Sequence, residues 1–315
     1  MKDLLRTLDL SRQDFKYLLS RASKFKAHPH SRHKLLFGDS ICMYFAKPST
    51  RTRISFEAAI ARLGGNPLAL NPADLQLGRG ETLEDTARII SRYARALVIR
   101  TFKDEDVHRL AKAATIPIVN ALTDGHHPCQ SVADMLTIQE HRGSLKNCKI
   151  AYFGDGNNVA ISLMEASALV GADFVIACPE GYSIPEPLIE QARAVADETG
   201  GTIRVTRDPE EAARGADALY TDVWLSMGDA DSEREARFNA LSPYQVNERL
   251  SKLAAPGAIF LHCLPAHRGE EVTADVIDGP SSMVWDQAEN RMHTSMAILY
   301  GLLEGKIEGR QSERR

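Results

Sequence analysis

Short apolar runs alternate with amphipathic stretches along nearly all 315 residues, and that alternation limits the fold more than any single motif. Strand-like runs fall at 41–46, 96–100, 116–119, 149–154, 174–177, 203–206, 218–220, 258–261 and 282–285. Between them lie helix-like stretches, including 11–25, 54–63, 82–93, 131–141, 186–198, 243–253 and 287–303. Strands apolar on both faces, separated by helices, imply parallel sheets covered on each side. The pattern breaks at Gly143-Ser144-Leu145-Lys146-Asn147 and then restarts. The expected fold is therefore α/β, with two open parallel-sheet domains, the second Rossmann-like, joined by helices. Residues 1–142 form the first domain and 143–286 the second, with 287–315 packing back on the first.

In open α/β sheets, ligands bind beyond the carboxyl ends of the strands. Residues just after a strand are therefore the ones to inspect. The run Lys47-Pro48-Ser49-Thr50-Arg51-Thr52-Arg53 follows the first strand and opens a helix. Free backbone N–H groups and the positive dipole end gather there, and Ser, Thr and Arg add donors that fit phosphate or carboxylate. Serine, threonine and proline also start ordinary helices, so anion binding and a plain helix start fit this segment equally well on its own.

Arg100 ends the second strand, and His126-His127-Pro128-Cys129-Gln130 lies between a strand and a helix. Each alone is well explained as a cap or a satisfied histidine; their shared position beside the Arg51 loop favours one ligand. Gly154-Asp155-Gly156-Asn157-Asn158 has a dinucleotide-like start, but Val159 stands where a third glycine belongs and Cys178-Pro179 replaces the usual acid. A nicotinamide site is disfavoured, and Asn158 offers an amide for a polar small molecule. Asp222 follows another strand and could hold an ammonium, with Ser226 on a loop that Gly228 lets bend. His262-Cys263-Leu264-Pro265 follows the next. Its thiol is inert in most settings but polarised beside an anion cleft, where neighbouring carbonyls can accept hydrogen bonds.

A formal net charge of −4 argues against nucleic acid as the main partner. The charged N-terminal residues lack a signal-peptide core, and no apolar stretch is long enough for a bilayer, so no membrane partner is expected. Five cysteines without CxxC spacing point to reduced thiols and a cytoplasmic protein. His28, His30 and His33 have no acidic or cysteine companions and read as a solvated loop.

Taken together, Ser49-Thr50-Arg51-Thr52-Arg53, His127-Pro128-Cys129-Gln130, Gly154-Asp155-Gly156-Asn157-Asn158, Asp222-Val223-Trp224-Leu225-Ser226-Met227-Gly228, His262-Cys263-Leu264-Pro265 and Glu289-Asn290-Arg291 resemble the aspartate/ornithine carbamoyltransferase superfamily. They run in family order, and the Ser-Met-Gly and His-Cys-Leu-Pro segments mark its ornithine branch. The resemblance implies transfer of a carbamoyl group from carbamoyl phosphate to the δ-amine of L-ornithine, giving L-citrulline and phosphate, a step of the arginine-biosynthesis or urea-cycle type, with biosynthetic and catabolic use both open. It implies that Ser49, Thr50, Arg51 and Thr52, with Arg100, hold the phosphate. Gln76 would reach the phosphate of an adjacent subunit in a homotrimer with sites at subunit borders. His127 and Arg100 would polarise the carbamoyl oxygen, Gln130 with Cys263 and Leu264 would hold its amide, and Arg291 would complete that pocket. Asn158, Asp222, Ser226 and Met227 would bind ornithine, with Cys263 and Asp222 beside the reacting amine. The implied chemistry needs no metal, no cofactor and no covalent enzyme intermediate.

Two departures stand out: Cys129, where another small residue is common, and the segment Leu77-Gly78-Arg79-Gly80-Glu81, more basic than in some members of the family. Rival readings are a carbamoyltransferase for aspartate, putrescine or an acylated ornithine, a non-catalytic anion binder, and a nicotinamide oxidoreductase. An aspartate site would want extra cations, whereas the 222–228 loop supplies an anion.

Overall fold

The strand-forming runs sort into two separate sheets, each entirely parallel. The computed structural model describes residues 2–31, 33–76, 80–225 and 234–310. In the first sheet β1 (Ser40–Phe45), β2 (Asn66–Leu70), β3 (Leu97–Arg100) and β4 (Ile118–Leu122) lie in the order β2-β1-β3-β4. In the second, β5 (Lys149–Phe153), β6 (Asp173–Ala177), β7 (Ile203–Thr206), β8 (Ala218–Thr221) and β9 (Ile259–His262) lie in the order β7-β6-β5-β8-β9. The helices, in chain order, are α1 (Arg12–Ala27), α2 (Thr50–Arg62), α3 (Leu83–Tyr93), α4 (Asp104–Ala113), α5 (Pro128–Arg142) and α6 (Asn158–Val170). They continue with α7 (Glu186–Thr199), α8 (Pro209–Ala213), α9 (Arg234–Leu241), α10 (Glu248–Leu253), α11 (Ala274–Ile277) and α12 (Val284–Leu303).

The chain forms two compact units, Met1–Leu136 with Glu289–Arg315 and Thr137–Ala288. It passes from the first to the second within α5 and returns within α12. The largely apolar strands are buried as the sequence pattern requires: every residue of β3, β8 and β9 is buried, the polar ones at their carboxyl ends included. In the first unit, Ala87 and Ile90 of α3 and Val107 and Leu110 of α4 form one cluster with Leu97 and Ile99 of β3. In the second, Ala151 and Phe153 of β5, Leu219 of β8 and Phe260 of β9 gather the apolar faces of α8, α10 and α11. No helix among the described residues is long and apolar enough to cross a membrane.

The sheet orders locate the crevices. Strand order reverses between β1 and β3 in one sheet and between β5 and β8 in the other. Connections leaving a reversal point in opposite directions open a crevice at the carboxyl edge, where ligands bind. The loops leaving β1, β3, β5 and β8 begin at Ala46, Thr101, Gly154 and Asp222.

Three sequence expectations change. β2 was not foreseen, because Asn66 and Pro67 are poor strand formers; Pro67 is tolerated since β2 is an edge strand, paired only with β1. The run 282–285 is not a strand: Ser282 makes a single bridge to Phe260, and α12 starts at Val284. The helix expected over 243–253 is split into a short 3-10 turn, Ser242–Tyr244, and α10, because Val246 bridges to Val272 between them.

Candidate active site

In the first unit, the sequence places a helix start directly under the end of β1. Ser49 is the N-cap residue of α2, with extended backbone (φ −159°, ψ 109°), yet its side chain does not cap the helix. No acidic residue sits in the first turn to neutralise the dipole. Thr50 is exposed, Arg51 half-buried and Thr52 buried. That turn suits an incoming anion.

Arg100 lies where the β3–β4 register slips between Ile99 and Arg100, and a bulge of this kind re-aims the side chain. His127 precedes Pro128, the first residue of α5, and its carbonyl accepts the Gln130 N–H at 3.0 Å. Proline is pre-shaped for that first position. Burial, then the Arg291 and Arg100 guanidiniums, hold the His127 imidazole well below its ordinary value of 6.5. His127 is therefore an uncharged ring near neutrality, able to donate one hydrogen bond without adding positive charge.

Behind it runs a buried network. Arg291, on α12, donates from Nη1 to Gln130 Oε1 at 2.5 Å and from Nη2 to Thr52 Oγ1 at 2.6 Å. Gln130 Nε2 in turn donates to Asp134 Oδ1 at 2.7 Å. One guanidinium thus ties the first turn of α2 to the first turn of α5. Cys129 points elsewhere: its thiol lies 3.4 Å from the Asn120 carbonyl, and burial pushes it up to about 12. The loop before His127 is fixed by His126, whose ring contacts Asp104 Oδ1 at 3.1 Å, and by the Lys47–Asp124 pair at 2.5 Å. Gln76 is exposed, and its carbonyl accepts the Glu81 N–H at 3.2 Å.

In the second unit the same scaffold carries opposite chemistry. Gly154, with φ +119°, ends β5 in a conformation closed to other residues, and a Cβ on Gly156 would strike the Ser183–Ile184 backbone. Asn157 then caps α6, its Oδ1 accepting the Val159 and Ala160 N–H groups at 3.0 and 3.1 Å. Asn158 is the first residue of α6 and is half-buried. Asp222, just past β8, accepts the Val223 N–H at 2.9 Å and the Cys263 thiol at 3.0 Å through Oδ1, and the Asn157 amide at 2.9 Å through Oδ2. A carboxylate, a thiol and an amide thus stand at the exits of β8, β9 and β5.

The backbone after Cys263 is fixed by a buried pair. His262 Nδ1 accepts the Leu264 N–H at 2.8 Å, so the Nε2 hydrogen faces Glu271 Oε1 at 3.2 Å. Burial raises the Glu271 carboxyl, but the hydrogen bonds from His262 and the His267 backbone leave it below its ordinary value. Leu264 sits at φ +59° before a cis Leu264–Pro265 bond. The His262 backbone N–H is itself held at 3.0 Å by Gln287, whose amide donates to the Tyr220 hydroxyl at 3.0 Å. Asp222, His262 and Cys263 carry ligand-type atoms within 4.8 Å of one another. They do not fit a metal centre, since both His262 nitrogens are committed to Leu264 and Glu271.

Of the residues expected to form the site, Thr52, Gln130 and Arg291 are brought together in the first unit, with Arg100 and Arg291 both acting on His127. Asp222 and Cys263 are brought together in the second. Ser226, Met227 and 77–79 lie outside the described residues. Asn157, His262 and Glu271 were not anticipated. The Asn-Asn pair at a helix start was a signal for the first; nothing local pairs residue 262 with residue 271.

Known proteins resemble the chain along nearly all of its length. Residues 2–140 match the family model "Aspartate/ornithine carbamoyltransferase, carbamoyl-P binding domain", and 146–302 match "Aspartate/ornithine carbamoyltransferase, Asp/Orn binding domain". The chain is 51% identical over 306 residues to an anabolic ornithine carbamoyltransferase of Pyrococcus furiosus, covering 96% of this chain and 97% of that protein. It is 50% identical over 302 residues to the ornithine carbamoyltransferase of Bacillus subtilis, covering 96% and 94%. Among solved structures, the Pyrococcus furiosus ornithine carbamoyltransferase superposes with a TM-score of 0.93 at 51% identity over 98% of both chains. An N-acetyl-L-ornithine transcarbamylase mutant superposes at 0.87 with only 30% identity, covering 96% of this chain and 100% of that one.

Proposed function

The chain belongs to the aspartate/ornithine carbamoyltransferase family, and from that premise we infer a role for each of the two arrangements above. The protein transfers the carbamoyl group of carbamoyl phosphate to the δ-amine of L-ornithine, giving L-citrulline and phosphate in arginine biosynthesis. The observation that carries this assignment is the near-full-length identity of about half to ornithine carbamoyltransferases.

In the reading we propose, residues 1–142 with 287–315 take carbamoyl phosphate and 143–286 take ornithine. Ser49, Thr50, Arg51, Thr52 and Arg100 bind the phosphate, and Gln76 serves the phosphate of a neighbouring subunit. The δ-amine, uncharged, attacks the carbamoyl carbon and forms the new C–N bond. Negative charge builds on the carbamoyl oxygen, where Arg100 and the uncharged His127 ring donate; one such fixed donor is worth about 3 kcal/mol. The bond from the carbamoyl carbon to the bridging oxygen then breaks, and phosphate leaves with the electron pair and takes the proton that the amine sheds. Gln130, Arg291 and the Cys263–Leu264 backbone hold the carbamoyl amide.

Asn158, Asp222, Ser226 and Met227 bind ornithine, Asp222 reaching its α-ammonium through one oxygen and standing beside the reacting amine through the Cys263 thiol held on the other. Cys263 lies beside the δ-amine, hydrogen-bonded to Asp222. The carboxylate at Asp222 suits an ammonium and opposes a second substrate carboxylate, which favours ornithine over aspartate. The exposed Gln76 supports a homotrimer with sites at subunit borders, and five free thiols suit the cytoplasm.

Formation of the carbamoylated product, measured with ornithine, putrescine, N-acetylornithine and aspartate as acceptors, tests the assignment. Ornithine is expected to exceed each of the others by at least about 100-fold in kcat/KM. Equal use of putrescine would overturn the role given to Asp222 and its loop. Light scattering at three chain masses is expected for the assembly.

A further inference from the structure

The N-cap of α6 does more than a cap requires. Asn, Asp, Ser and Thr all satisfy a helix N-terminus well. Among them only asparagine carries an N–H donor on an atom separate from the capping oxygen, so it can cap and donate at once. Here Oδ1 accepts the Val159 and Ala160 N–H groups and the Tyr152 hydroxyl at 3.2 Å, while Nδ2 donates to Asp222 Oδ2 at 2.9 Å. The amide can face only one way, because reversing it would set its oxygen against the Asp222 carboxylate. Tyr152 is buried and anchors that oxygen from below.

Asp222 has about four acceptor positions. Val223 N–H and the Cys263 thiol occupy two on Oδ1, and Asn157 occupies one on Oδ2. Among the described residues one remains, on Oδ2, and Asn157 decides where it points. We propose that Asn157 is a positioning residue for ornithine: it does not touch substrate, but fixes the Asp222 carboxylate so that its last acceptor position meets the substrate ammonium and its other oxygen holds the Cys263 thiol. This rests on the assignment of Asp222 to ornithine binding.

The test uses Asn157→Ser and Asn157→Asp in the full-length enzyme. Both keep a good helix cap, and both lose the amide N–H that reaches Asp222, the Ser hydroxyl being one bond shorter with its oxygen at the cap; the Asp variant also sets two carboxylates face to face. Citrulline formation is measured with each substrate varied in turn, and alkylation of Cys263 by iodoacetamide is followed at pH 7 by mass spectrometry. Cys263 is the one cysteine of the five that is not buried.

Asn157→Ser is expected to raise the ornithine KM about tenfold, the usual effect of losing a hydrogen bond to a charged group, with the carbamoyl phosphate KM within about twofold of wild type. Freed from a fixed carboxylate, the Cys263 thiol should also be alkylated faster. Asn157→Asp should raise the ornithine KM further, and it carries the test should the Ser variant fail to fold. An unchanged ornithine KM with unchanged alkylation overturns the proposal, as does an equal rise in both KM values, which marks a merely structural role. A wild-type enzyme that makes no citrulline overturns the ornithine assignment instead, while the alkylation rates still report on the Asn157–Asp222–Cys263 link.

Discussion

Two helices begin at the reversal points of two parallel sheets, and their first turns are finished in opposite ways. At α2 the Ser49 side chain does not cap the N-terminus, no acid lies in the first turn, and Arg291 joins that turn to α5. At α6 the first N–H groups are taken by Asn157, and the cluster beyond it is a carboxylate and a thiol. One scaffold therefore serves an anion in one unit and an amine in the other. The difference lies in which donors are left for a ligand and which are consumed by the protein.

The largest effect should come from removing charge at the open helix start. Arg51→Ala is expected to lower kcat/KM for carbamoyl phosphate by about 1,000-fold, because a guanidinium–phosphate contact strengthens as the phosphate leaves. Folding should be little affected, since Arg51 is half-buried at a helix start. Steady-state kinetics with thermal melts checks both. A loss below about tenfold would mean that α2 does not carry the phosphate.

The mirror experiment is Asp222→Asn. It is expected to lower kcat/KM for ornithine by about 100-fold, the loss typical of a hydrogen-bonded charge, while carbamoyl phosphate binding by calorimetry stays intact. An equal loss for both substrates would erase the contrast between the units.

A medium effect follows from His127. Its folded-state value is lowered, so below about 6.5 the unfolded imidazole binds a proton that the folded one refuses. Its contribution is thus complete above that value and is lost as pH falls toward the folded value. His293 is lowered too, by burial foremost, and adds to the same slope. Melting temperature should fall between pH 7 and 5, and His127→Gln should flatten that fall by up to one proton, about 1.4 kcal/mol per pH unit. An identical slope in the variant would mean that the ring is protonated in the folded state.

The first unit was the more legible in sequence, and for a physical reason. Arg100 ends β3, and Arg51 and His127 lie within a few residues of the ends of β1 and β4, so topology alone selects them. The strands 149–153 and 203–206 were legible because apolar runs bounded by turn residues have few alternatives. Edge strand β2 was not, since Pro67 argues against a strand until its neighbour is known. The second unit hid its supports. Asn157 looks like an ordinary cap until Asp222, 65 residues away, is placed beside it. The His262–Glu271 pair depends on a loop turning back on itself, which no periodicity encodes.

The smallest effect sharpens the comparison most cheaply, because each unit places a cysteine close to its reactive groups. Cys129 adjoins Gln130 and His127, yet it is buried, bonded to the Asn120 carbonyl, and pushed up to about 12. A thiol so far from ionising neither attacks nor binds metal at neutral pH. Cys129→Ala should therefore cost about 1 kcal/mol of stability through a small void and leave both KM values unchanged. Cys263→Ala removes a donor to Asp222 and should raise the ornithine KM about fivefold and shift the pH profile for ornithine. If the two substitutions behaved alike, proximity in sequence to the site, rather than the hydrogen bond to Asp222, would be what gives a cysteine its role.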